Sequence, residues 1–125
     1  MANEISISLS ITASKNGAKF TRQESFKDDM AGDAWVSGVQ QVGASSEALV
    51  THADIATYGW VYLKNLDTGA NYVEFGHDTT TIGGDDSICR LFAGESCIFK
   101  TAPETAITAI SSSGTQSVEY AIIEL

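Results

Sequence analysis

The sequence predicts an all-β fold: one antiparallel β-sandwich domain over residues 1–125, of jelly-roll-like type. Three observations predict it. Apolar and polar residues alternate with period two in several segments, most cleanly in Ile5-Ser6-Ile7-Ser8-Leu9-Ser10-Ile11-Thr12. Turn residues recur at roughly ten-residue spacing. No helical periodicity persists beyond a single turn.

The first strand carries Ile5, Ile7, Leu9 and Ile11 on one parity and Ser and Thr on the other, so one face is expected to be buried and one wet. Lys15-Asn16-Gly17 is a turn, because Asn-Gly tolerates positive φ. A second strand is expected from Ala18 to Phe26, with a thin core face that suits an edge or half-exposed position. Lys27 to Asp33 is a polar loop with room for a helical turn. Strands are expected over Trp35–Val42 and Ser45–Thr51, with His52-Ala53-Asp54 as a connection. Next, Gly59–Gly76 contains two apolar segments around Leu66-Asp67-Thr68-Gly69, expected to form a tight aromatic hairpin. His77 to Asp86 is a long loop, a class that often carries contacts. Ser87–Phe92 and Ser96–Lys100 are expected to pair as a second hairpin around Ala93-Gly94-Glu95, which would set Cys89 opposite Cys97 across its ladder and leave a disulfide between them open beside the reduced pair. Ala106–Ile110 and Ser117–Leu125 complete the expected strands.

Composition narrows the function. With 43% hydrophobic and 18% charged residues the chain is globular, and 125 residues suit one core. The net charge of −9 lacks the basic footprint that phosphate neutralisation needs, so nucleic acid is not an expected partner. The same charge opposes docking on anionic lipid, and no apolar run is long enough for a membrane span. Met1-Ala2-Asn3-Glu4 has no signal-peptide character, so synthesis in a cytoplasm is expected. Two cysteines eight residues apart do not make a zinc pattern; a reduced, inert pair is expected.

Catalytic motifs are weak throughout. His77, Ser87 and Asp78 can be written as a hydrolase triad, but no Gly-x-Ser-x-Gly elbow supports it, and His52 near Asp54 fares no better. Asp28, Asp29 and Asp33, and Asp78, Asp85 and Asp86, cluster without the EF-hand spacing, so surface loops explain them more simply than calcium. No catalytic residue, metal or cofactor is expected. Trp35, Trp60 and Tyr62 are the candidate contacts for a partner or a glycan; Trp60 and Tyr62 share a strand face. Large aromatics usually fill cores instead, and Trp60 and Phe75 are expected there, with a cost of about 3–5 kcal/mol for Trp60→Ala. The first strand also presents a long hydrogen-bonding edge that a neighbouring subunit would cover.

Tyr62-Leu63-Lys64-Asn65-Leu66-Asp67-Thr68-Gly69-Ala70-Asn71-Tyr72-Val73-Glu74-Phe75-Gly76 resembles a motif of small structural proteins of tailed bacteriophages. Cys89-Arg90-Leu91-Phe92-Ala93-Gly94-Glu95-Ser96-Cys97-Ile98-Phe99 is similar to the next element of that family, and Val118 to Glu124 to its terminal strand. The resemblance covers about residues 36 to 125, and its motifs are structural turns. It implies a virion component, most simply a head decoration (cement) protein. Such a protein acts as a homo-oligomer, dimer or trimer, on the major capsid protein or other virion proteins. A tail or fibre protein, or a carbohydrate-binding module using exposed aromatics, is the alternative. Neither carries catalytic residues.

Overall fold

Lys15 meets Ala18 across Asn16-Gly17, both with positive φ (50° and 83°), so a two-residue turn closes the first hairpin in register. The computed structural model describes residues 4–30, 32–49, 55–77, 87–104 and 106–124. His52-Ala53-Asp54, the end of the expected fourth strand, and the loop from Asp78 to Asp86 lie outside the described residues, as does Ala31 in the expected helical turn.

Two units make up the chain, Met1–Ala31 and Gly32–Leu125. In the first, β1 (Ile5–Lys15) and β2 (Ala18–Asp28) form a two-stranded antiparallel ribbon. β2 runs two residues past the expected end, to Asp28, on the ground where a loop is expected. Register gives each face its composition. Ile5, Ile7, Leu9, Ile11 and Ala13 stand opposite Asp28, Phe26, Glu24, Arg22 and Phe20, whereas the other face is Ser, Thr, Gln and Lys. The expected buried face is realised only at Ile5 and Ile7; Leu9 and Ile11 are exposed.

The second unit is a sandwich of two four-stranded antiparallel sheets. One has the order β3 (Trp35–Val42), β10 (Gln116–Glu124), β5 (Tyr58–Asn65), β8 (Ser96–Glu104). The other has β4 (Glu47–Ala48), β9 (Thr108–Ser111), β6 (Tyr72–Gly76), β7 (Ser87–Phe92). The pairs β3·β10, β4·β9, β5·β8 and β6·β7 are nested, first with last and so inward to β6·β7. Apart from β6 to β7, every link between consecutive strands from β3 to β10 passes from one sheet to the other. Val42, Val61, Leu63, Val118 and Ile122 from the first sheet meet Val73, Phe75, Leu91 and Ala109 from the second, and all of these are nearly or fully inaccessible. Period-two alternation supplies this core directly: β10 reads buried, half-buried, buried from Gln116 to Glu124.

Both aromatic hairpins expected in this unit are corrected. β5 and β6 lie in different sheets, as do β7 and β8. Between β5 and β6, turn chemistry satisfies the backbone against other strands rather than across a hairpin. The Asp67 N–H donates to Asn65 Oδ1 at 3.0 Å, the Leu66 N–H to the Ser117 carbonyl at 2.9 Å, and the Ser117 N–H to Asp67 Oδ2 at 2.9 Å. Between β7 and β8, the Glu95 N–H donates to the Phe92 carbonyl (3.0 Å) and Gly94 takes φ 79°. That turn then docks on β5: the Gly94 N–H donates to the Asn65 carbonyl, and the Asn65 N–H to the Glu95 carbonyl.

Tyr58 closes the core at the start of β5, 1% exposed. Burial, and then Tyr120 beside it, push its phenol above the ordinary tyrosine range. The neutral ring therefore contributes stability that is complete below the unfolded pKa of about 10 and is lost as pH rises through the higher folded value. Thermal melts in mildly to strongly alkaline buffers are expected to show Tm falling in that window, and Tyr58→Phe to flatten the fall. An unchanged alkaline slope in the variant would assign the loss to other groups.

Candidate functional site

The outward-facing residues of β3, β10, β5 and β8 form rows set by register. Trp35, Ile123, Trp60 and Lys100 stand in line across the four strands; Ser37, Ala121, Tyr62 and Ile98 form the next row; Val39, Glu119, Lys64 and Ser96 the third. The three candidate contacts Trp35, Trp60 and Tyr62 thus share one sheet face. They reach it because their strand parity is opposite to that of Val61, Leu63 and Val36, which point to or pack on the core.

Their exposures differ. Trp35 on edge strand β3 is 69% exposed and is not a core residue. Trp60 is 8% exposed, yet it is no part of the central cluster, and the Lys100 ammonium lies 5.9 Å from its ring centroid. The expectation that Trp60 joins the core therefore holds for burial but not for position. Phe75 is fully buried within the cluster, as expected. Tyr62 is half-buried; desolvation, then the Glu119 carboxylate beside it, push its phenol upward. Between Val39 and Tyr62, over Gly38 and Ala121, lies an open hollow of about 280 Å³. Val39 and Ile98 add exposed apolar surface. The face is a shallow, mostly apolar platform suited to stacking or to protein contact, with one carboxylate and two ammonium groups around it.

The outer face of the second sheet holds a cluster that sequence reasoning missed. Glu74 on β6, only 4% exposed, accepts from Arg90 Nε at 2.8 Å, from Arg90 Nη2 beside it, and from the Ser87 hydroxyl at 2.8 Å. Arg90 also lies over the Tyr72 ring, 4.2 Å from its centroid, and Tyr72 meets Phe92 edge to face at 5.3 Å. Both Arg90 donors converge on Glu74 Oε1 while Ser87 takes Oε2, and the hydrogen bonds to Glu74 outweigh desolvation in raising the guanidinium above its ordinary value. The signal was available: Glu74 is the one acid and Arg90 the one cation in their strands, and both stand on the outward parity.

The histidine pairings lie largely outside the described residues, since Asp78, His52 and Asp54 do. The Asp78, Asp85 and Asp86 cluster is also outside them. Among the described residues no group of three or more His, Cys, Asp or Glu side chains is placed to hold a metal ion. Among the described residues no helix is long and apolar enough to cross a membrane.

The fold and these surfaces define a small antiparallel β-sandwich, a ribbon, and broad faces suited to contact. No family model, no curated protein and no solved structure matches the chain.

Proposed function

We propose that the chain is a non-enzymatic structural virion protein of a tailed phage, and specifically a capsid decoration (cement) protein. In this reading it forms a homo-oligomer and binds the major capsid protein of the assembled head. The observation that carries the reading is the β1–β2 ribbon. It is an amphipathic two-stranded sheet with Leu9, Ile11, Phe20 and Phe26 each at least 40% exposed on one face. A two-stranded ribbon is marginal by itself, and an exposed apolar face of this kind marks a protein contact.

On the apolar face Glu24 stands across from Leu9 and Arg22 across from Ile11, so the same face carries one charge of each sign, which a second copy related by a two-fold axis could pair. Cross-linking of neighbouring capsomers by such an oligomer adds buried area without chemistry, which is what a cement protein requires. The nested pairing of β3 to β10 supports the further reading of the sandwich as a jelly roll, an architecture frequent in capsid proteins.

Native mass by light scattering, followed by co-sedimentation with empty phage shells, tests the proposal. A dimer or trimer that pellets with shells is the expected result. Ile11→Lys combined with Phe20→Lys is expected to give a folded monomer. A wild-type monomer, or an oligomer that ignores shells, would overturn the decoration reading.

A second reading, a tail-fibre or carbohydrate-binding module, is favoured by the placement of Trp35, Trp60 and Tyr62 on one outer face. It predicts glycan affinity that Trp35→Ala abolishes while leaving the fold intact.

A further inference from the structure

We propose that Cys89 and Cys97 are a site of covalent modification: a small-molecule disulfide oxidises them to an intrachain bond that clasps the open edge of the sandwich. The thiols lie 3.6 Å apart, Sγ to Sγ. They come from different sheets, Cys89 opposite Phe75 in the β6·β7 pair and Cys97 opposite Leu63 in the β5·β8 pair. Both point inward against the core cluster and both remain half-buried, so neither is sealed from a small reagent. β7 and β8 are each the last strand of their sheet, with one ladder partner apiece. Such strands are the first to peel away, and the turn at Ala93 to Glu95 is all that joins them along the chain.

The chemistry balances with an oxidised low-molecular-weight thiol such as glutathione disulfide as the co-reactant. The two thiols share a hydrogen bond. This contact, and then burial, push the Cys89 thiol far up, while the same contact lowers Cys97 despite its own desolvation. In the proposed sequence Cys97 supplies the attacking thiolate. Its thiolate attacks one sulfur of glutathione disulfide, expelling a glutathione thiolate and leaving a mixed disulfide on Cys97. Cys89 then gives up its proton and attacks Sγ of Cys97, expelling the second glutathione thiolate. Two electrons pass to glutathione disulfide, and the two thiol protons leave with the two glutathione molecules. In a reducing cytoplasm the pair stays as thiols; in an oxidising medium it closes. This departs from the expectation of an inert pair.

The test incubates the full chain with glutathione disulfide, alongside Cys89→Ser, Cys97→Ser and the double Ala variant. The expected result is a monomer-sized chain lighter by two hydrogen atoms, with a peptide map joining Cys89 to Cys97. Closing a short loop is expected to raise Tm by on the order of 10 °C, and dithiothreitol is expected to reverse the rise. Cys89→Ser is expected to trap glutathione on Cys97. A persistent glutathione adduct on the wild-type chain, chains linked to one another, or no reaction would each overturn the proposal. Closure with no rise in Tm would overturn the clasp. The mass measurement does not depend on any variant folding.

Discussion

Replacing Phe75 by alanine is expected to lower the unfolding free energy by about 3–5 kcal/mol, the cost of removing a buried aromatic ring that its neighbours cannot collapse to fill. Phe75 is fully inaccessible near the end of β6. Ala109 stands beside it on β9 and Cys89 on β7, both too small to take up the vacated volume. Against a total stability of roughly 5–15 kcal/mol this is a large fraction, enough to leave part of the population unfolded at 37 °C. Urea titration followed by tryptophan fluorescence measures it, with the midpoint moving and the slope unchanged. Trp60→Ala provides the internal comparison. Its ring lies outside the central cluster, on the parity opposite to Val61 and Leu63, so its loss is expected to cost about 1.5–3 kcal/mol, the transfer of its apolar surface without a cavity in that cluster. Equal costs for the two variants would contradict the outward placement of Trp60.

Asn65→Asp is expected to be nearly as damaging, by about 3 kcal/mol or more at neutral pH, although it changes one atom group. Asn65 is fully buried at the end of β5. Its amide Nδ2 donates to the Leu91 carbonyl at 3.1 Å, and its Oδ1 accepts from the Asp67 N–H at 3.0 Å. An ionised carboxylate keeps the second bond and loses the first, so an oxygen carrying charge faces the Leu91 carbonyl away from water. The introduced carboxyl has its folded pKa raised above the unfolded value near 3.9. The folded state is therefore least penalised below that unfolded value, and stability is lost as pH rises through the folded pKa. The deficit relative to wild type is expected to shrink in acid. Parallel melts of both proteins in acidic and neutral buffer check this, and a deficit independent of pH would refute the account. Asn65→Ala, which carries no charge, is expected to show the smaller, pH-independent loss.

Asn65 also shows what a sequence conceals. Its side chain ties β5 to β7 in the opposite sheet, and its backbone holds the turn of Gly94 and Glu95. In the sequence it reads only as the last strand residue before the Leu66-Asp67-Thr68-Gly69 turn. Turn residues of this kind satisfy the chain equally well when it folds back within one sheet or crosses to another. The strands themselves were legible: Trp35–Val42 forms over the expected residues, and Asn16-Gly17 closes β1 and β2 as its φ tolerance requires. The nearness of Cys89 to Cys97 was legible too, but as a cross-ladder contact, whereas the pair bridges the two sheets.

The face carrying Trp35, Trp60 and Tyr62 divides the same way. Alternation assigns Trp60 and Tyr62 to one side of β5 and Val61 and Leu63 to the other, but both sides are apolar, so alternation leaves open which one points inward. The Glu74 and Arg90 pair was open for a similar reason, since their approach needs β6 and β7 in register. What this sequence by itself determined is its all-β character, the positions of most strands and the two parities of each, because these depend on residues one or two apart along the chain. Only the tertiary structure decided which strands pair, which parity is buried and which side chains meet. Those outcomes depend on β10, from the far end of the chain, inserting between β3 and β5 and turning Val61 and Leu63 toward the opposite sheet.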